Sequence, residues 1–157
     1  MMTTLYSEVL DTLREKGLTL VTAESLTGGG IGAALTAVSG ASEVYRGGVI
    51  SYVNDVKHHV LGVPREVLDR CGAVSEQTAG YMASGVRKLL EADIAVSVTG
   101  LAGPGGDTFG NPVGTVYIGY EDGKGNLVRH CLFTGSREEI RQQTIRAALE
   151  LILEQNS

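Results

Sequence analysis

The chain has 157 residues, 43% of them hydrophobic, and a formal net charge of −5. That length predicts a single domain, residues 1–157, with a sizeable core, and the composition argues against disorder. With no basic stretch and no Trp, a dedicated nucleic-acid binder is disfavoured. The apolar runs are too short to span a bilayer. No basic-then-apolar leader opens the chain, which predicts a cytoplasmic location.

Leu5, Val9, Leu10 and Leu13 have helical spacing and Gly17 is a plausible stop. Leu18 to Thr22 reads as a strand. After a Gly-rich turn, Ile31 to Val38 reads as a helix that stops near Gly40. Gly48 to Val53 reads as a second strand, and Asn54 as the cap of a short helix containing Lys57, ended by Gly62. Pro64 suits the first turn of another short helix closed by Gly72. Ser75 caps a longer helix, Glu76 to about Glu91, with Met82, Val86, Leu89 and Leu90 as its apolar face.

Ile94 to Val98 is a short apolar run, read as a buried strand, followed by a Gly/Pro loop from Leu101 to Pro112. Val113 to Tyr120 and Leu127 to Phe133 flank Asp122-Gly123-Lys124-Gly125-Asn126, a hairpin signal. The last helix begins near Arg137. Helices alternating with strands, interrupted by one hairpin, predict a three-layer α/β/α sandwich on a mixed, mainly parallel sheet.

The segment Thr22-Ala23-Glu24-Ser25-Leu26-Thr27-Gly28-Gly29-Gly30 places Ser25 at a strand-to-helix turn. Unpaired N–H groups and a positive field are expected there, serving either a helix cap or a nucleophile. The G-x-S-x-G elbow is absent, because Ala23 and Thr27 stand at its glycine positions. No His partner is evident, so a Ser–Lys pair is the catalytic alternative. Lys57, in the first turn of its helix, is the candidate base, since the helix dipole and burial would both disfavour its charge. Tyr52 could relay a proton or orient either group.

Ser97 to Gly106 follows a strand, where α/β sheets place ligand loops. Its backbone N–H groups could form an anion nest, and Thr99 could add a hydroxyl. The loop is neither a Walker A nor a G-x-G-x-x-G motif. Arg137 and Arg141, one turn apart at a helix start, suggest an anionic ligand or a carboxylate partner. His58, His59 and His130 form no ligand cluster, and Cys71 and Cys131 read as reduced thiols.

Together these segments resemble the CinA C-terminal domain family, the nicotinamide-nucleotide amidases of PncC type. The matching residues are Thr22 to Gly29, Arg46-Gly47-Gly48-Val49-Ile50-Ser51-Tyr52, Asn54, Lys57, and Gly72-Ala73-Val74-Ser75-Glu76. Val98 to Gly106 and Pro112-Val113-Gly114-Thr115-Val116 complete the set. The resemblance implies an α/β/α fold, a homo-oligomer, and hydrolysis of nicotinamide mononucleotide to nicotinate mononucleotide and ammonia. It implies Ser25 as nucleophile, assisted by Lys57, with Tyr52 and Arg141 supporting the site. Many family members carry a further N-terminal domain, for which this chain has no room. Three positions depart from the family pattern: Leu26 replaces Cys, Asn111 replaces Lys, and Ser136 replaces Asp. The last two bear on phosphate or ribose contacts rather than on nucleophile or base.

The expected function is therefore a Ser–Lys amidohydrolase acting on a small nucleotide, with no metal and no organic cofactor. Backbone N–H groups near Ser25 to Gly29 would hold the oxyanion, with Thr27, Gly28 and Gly29 counted among the substrate-binding residues. Thr99, Gly100, Gly103, Gly105 and Arg141 would hold the nucleotide. The rival reading is a non-catalytic nucleotide-binding module in which Ser25 is only a cap.

Overall fold

The structure, a computed structural model, describes residues 2–157, with side chains from Thr4 onward. Helix α1 (Met2–Lys16) turns Val9, Leu10 and Leu13 into the core. Strand β1 (Leu20–Glu24) is buried along its whole length, as a strand between two helical layers must be. It starts later than the apolar run implies. Leu18 closes the preceding helix with its N–H on the Leu13 carbonyl, and Thr19 is held by Asp93 through both its N–H and its hydroxyl.

Helix α2 (Gly30–Thr36) and a 3-10 turn (Ala41–Glu43) lead to β2 (Tyr45–Ile50). The strand thus begins at Tyr45 rather than Gly48. Gly48 lies inside it, so close to Thr22 of β1 that a side chain would collide. The chain leaves the sheet at Ser51, whose N–H donates to the Glu24 carbonyl at 2.8 Å.

Helices α3 (Asn54–His59), α4 (Arg65–Cys71) and α5 (Glu76–Leu90) follow. Val53 rather than Asn54 holds the cap position of α3, and Pro64 stands at the cap of α4 rather than in its first turn. Ser75 caps α5 as expected, its Oγ accepting the Thr78 N–H at 3.1 Å. Met82 and Val86 are buried, whereas Leu89 is exposed. Strands β3 (Ile94–Gly100), β4 (Thr115–Asp122) and β5 (Gly125–Leu132) complete the sheet, the last two joined by a tight turn at Gly123-Lys124. Helix α6 (Arg137–Asn156) opens with a capping box between Ser136 and Glu139.

The strand order is β2-β1-β3-β4-β5. The first three strands are parallel, β4 is antiparallel to β3, and β5 to β4. Only β4 therefore runs against the rest. Ile94, Val96 and Val98 of β3 face a core with α1, α2 and α6, while Ala95 between them faces α4 and α5. That alternation is the three-layer sandwich. The α5 face is lined by small residues. Gly119 of β4 sits against the Ala79 backbone, and Ser97 Oγ donates to the Ala79 carbonyl at 2.6 Å.

The chain passes from β1 to β2 on one side and returns to β3 on the other. The carboxyl ends of β1 and β3 therefore flank a topological switch point, where open α/β sheets form ligand crevices.

Candidate active site

Ser25 is the first residue beyond β1. Its N–H donates to Val98 of β3 at 3.1 Å, and its carbonyl accepts the Gly28 N–H at 3.0 Å. Gly28 and Gly29 take positive φ of 59° and 99° to turn the chain into α2, a conformation open to glycine.

Ser25 is not the cap of α2. Gly29 holds that position, and the free N–H groups of Ile31 and Gly32 go to the carboxylate of Glu24, at 2.8 and 3.0 Å. Glu24 also accepts from Thr27 Oγ1 at 2.7 Å and Thr22 Oγ1 at 3.2 Å. It is only 2% exposed. The positive end of α2 is thereby spent on an anion inside the α2 layer, and Ser25 keeps its hydroxyl for the opposite face. Glu24 has one signal in the sequence, a carboxylate that closes the run of apolar and β-branched residues Leu20 to Ala23.

Lys57 of α3 is 1% exposed. Its Nζ donates to Ser25 Oγ at 3.0 Å, to the Ser51 carbonyl at 2.7 Å and to the Tyr52 carbonyl at 3.3 Å. Among the described residues it forms no ion pair. Burial lowers its pKa to about 8, since an ammonium ion is costly to desolvate. The two carbonyls can take both N–H bonds of a neutral amine, leaving the lone pair for the serine proton.

Tyr52 lies at the cleft and is 59% exposed. Its carbonyl serves Lys57, while its hydroxyl accepts from Arg137 Nη2 at 3.2 Å. The ring thus meets Arg137, and no hydrogen bond joins its hydroxyl to Ser25 or Lys57.

A cleft of about 470 Å³ opens over the pair, walled by Ser25, Leu26, Tyr52, Lys57, Arg137 and the 99–105 segment. Gly100, Gly103 and Gly105 line it. Thr99 lines it too, but its hydroxyl donates to the Ala73 carbonyl at 2.7 Å. Thr27, Gly28 and Gly29 are not among the residues that wall it. Among the described residues the N–H groups of Ala102, Gly103 and Gly105 meet no acceptor. Asn111 braces the loop, donating to Asp107 Oδ2 at 2.7 Å and to the Val74 carbonyl at 3.2 Å.

The two arginines separate. Arg137 reaches the cleft and donates to the Gly103 carbonyl at 2.7 Å. Arg141 is turned to the back of the Ser25 loop, where it binds the carbonyls of Leu26 and Thr27. A groove of about 510 Å³ between α5 and β5, beside Tyr81 and Glu121, is as large as the cleft. It contains no buried nucleophile or base, which leaves the cleft as the candidate site. Among the described residues no group of three His, Cys, Asp or Glu gathers as a metal site, and no helix is long and apolar enough to cross a membrane.

Fold and cleft together define an α/β/α domain with a buried serine–lysine pair at the switch point of its sheet. Residues 2–156 match the model of the CinA C-terminal domain, and the chain belongs to that family. It is 46% identical over 142 residues to a competence-damage inducible protein of Desulforudis audaxviator, covering 90% of this chain and 34% of the relative. It is 45% identical over 152 residues to a protein of the same name from Geobacillus kaustophilus, covering 96% and 36%. The chain thus spans about a third of the length of these curated relatives.

Among solved structures, the competence/damage inducible protein CihA of Agrobacterium tumefaciens superposes with a TM-score of 0.95 at 40% identity, covering 99% of this chain and 96% of the other. The competence damage-inducible protein A of Klebsiella pneumoniae gives 0.95 at 37%, covering 98% and 95%.

Proposed function

We propose that the protein is an amidohydrolase that converts nicotinamide mononucleotide to nicotinate mononucleotide and ammonia. The observation that carries this reading is the buried, unpaired Lys57 with its Nζ 3.0 Å from Ser25 Oγ at the floor of a cleft. A lysine that is easily neutralised beside a hydroxyl is a general base for a serine nucleophile.

Neutral Lys57 takes the Ser25 proton as Oγ bonds to the carboxamide carbon, and the carbonyl electron pair moves onto its oxygen. The N–H groups of Leu26 and Thr27, next to Ser25, receive that oxyanion. Lys57 then returns the proton to the amide nitrogen, the C–N bond breaks and ammonia leaves. Water, deprotonated by the same amine, releases the acid from Ser25. Arg137 and the free N–H groups of the 102–105 segment supply an anion-binding wall for the nucleotide phosphate. This reading moves the phosphate contact from Arg141 to Arg137.

The test is ammonia release from nicotinamide mononucleotide by purified protein, with Ser25→Ala alongside. The wild type is expected to release ammonia and the folded variant none. Release by both would discard the serine mechanism. Binding of the nucleotide without release by the wild type would make the domain a non-catalytic module.

A further inference from the structure

Arg141 does not itself line the cleft, yet it is one of the most engaged side chains near Ser25. Its Nε donates to the Leu26 carbonyl at 3.0 Å, Nη2 to the Thr27 carbonyl at 3.2 Å, and Nη1 to Glu138 at 2.9 Å. The Leu26–Thr27 peptide is trans, so its N–H points away from the carbonyl that Arg141 holds. The Thr27 N–H therefore faces away from α6. The preceding peptide is fixed in the same way. The Ser25 carbonyl accepts the Gly28 N–H at 3.0 Å, which turns the Leu26 N–H outward from the turn.

Among the described residues neither N–H has an acceptor, although Leu26 and Thr27 are 5% and 1% exposed. Buried amides without acceptors are rare in folded proteins. Two in succession, directly after a hydroxyl that contacts a buried lysine, form a pair of donors awaiting an oxygen.

We infer that Arg141 is a positioning residue. By holding the Leu26 and Thr27 carbonyls from the α6 side, it fixes the Thr27 N–H directly and the Leu26 N–H through the Gly28 N–H bonded to the Ser25 carbonyl. It so aims both at the oxyanion formed when Ser25 attacks. The inference rests on Ser25 being the nucleophile proposed above. It gives Arg141 no contact with substrate and no proton to carry. The guanidinium fork suits the task, because two donors in one plane reach two successive carbonyls. Donors fixed before the reaction need no reorganisation in the transition state, which is the source of their effect.

The experiment compares Arg141→Met and Arg141→Lys with the wild type. Nicotinamide mononucleotide and the phosphate-free nicotinamide riboside serve as substrates. A second readout is the rate at which a fluorophosphonate modifies Ser25. Arg141→Met is expected to lower kcat roughly 10- to 100-fold, the scale of a weakened oxyanion donor. KM should stay within about twofold, the loss should be equal on both substrates, and the pH midpoint of the rate should not move. Arg141→Lys, which can reach one carbonyl, is expected to recover part of the loss.

A rise in KM for the mononucleotide alone, with kcat intact, would make Arg141 a phosphate ligand and overturn the inference. An unchanged kcat would overturn it as well. The probe keeps the test independent of the substrate. A wild type that is modified at Ser25 but releases no ammonia refutes the amidase reading only. In that case roughly tenfold slower modification of Arg141→Met supports its positioning role, and an unchanged rate refutes it. Should the Met variant fail to fold, Arg141→Lys carries the same readouts.

Discussion

Lys57 is the residue on which the proposed chemistry turns, and its position is costly. Its pKa falls from 10.5 to about 8 through burial, a difference of roughly 3 kcal/mol between folded and unfolded chains. Between pH 8 and 10.5 the unfolded chain binds more protons than the folded one, so stability rises with pH across that window. Below pH 8 the folded state bears the whole cost. Lys57→Met is expected to lose at least ~1,000-fold in turnover. It should also lose the rise in stability between pH 8 and 10.5, read as the difference between wild-type and variant urea midpoints. A variant with the same pH dependence as the wild type would show that Lys57 is not the group depressed by burial. The residue itself was legible in the sequence, but for a partly different reason. Helix-dipole repulsion was expected to contribute, whereas burial is the cause of the shift. Its Nζ is held by Ser25 Oγ and the Ser51 and Tyr52 carbonyls, a setting that only the fold assembles.

The Ser25 loop is the element whose geometry the sequence leaves open between a helix cap and a nucleophile. A strand, a hydroxyl and a glycine run before a helix look alike whether the hydroxyl or another group meets the helix end. Here Glu24 meets it, taking Ile31 and Gly32 N–H along with Thr27 Oγ1. Alternation along β1 decides the matter, because neighbouring strand residues face opposite layers. Glu24 faces α2, so Ser25 faces α3 and Lys57. Glu24→Gln is expected to lower stability by about 1–3 kcal/mol, since its amide group must confront at least one of those donors. Thermal denaturation beside the wild type measures it, and an unaltered Tm would mean the loop is held by other contacts. Elements with strong local chemistry were read closely. Ser75 caps α5, and Asp122 to Asn126 brackets the β4–β5 turn. The boundaries of β1 and β2 were not, because Asp93 and the Gly48–Thr22 contact that set them are long-range.

The whole molecule explains why residues far apart in sequence meet. With strand order β2-β1-β3-β4-β5, Ser25 after β1 and the 99–105 segment after β3 necessarily share one crevice, and Lys57 arrives on the connection out of β2. The layer order and the two loops were visible in the alternation of helices and strands. Which arginine enters the crevice was not, because Arg137 and Arg141 sit one turn apart and their directions depend on how α6 crosses the sheet. Arg137→Ala is expected to raise KM for the mononucleotide about tenfold or more and to leave kcat and the riboside little affected. Equal losses on both substrates would remove phosphate from its role. The close seating of α5 on the sheet depends on Gly119, where a side chain would press on the Ala79 backbone. Gly119→Val is expected to cost about 1–3 kcal/mol, the usual scale of overpacking, as measured by urea unfolding.

The central claim is that Lys57 activates Ser25. Its most direct test is the rate of Ser25 modification by a fluorophosphonate as a function of pH, with the modified residue identified by peptide mass. The account expects modification at Ser25 that accelerates through a midpoint near pH 8, where Lys57 loses its proton. It expects slow modification without that midpoint in Lys57→Met. A wild-type rate that ignores pH across this range, or equal reactivity in the Lys57 variant, would contradict it.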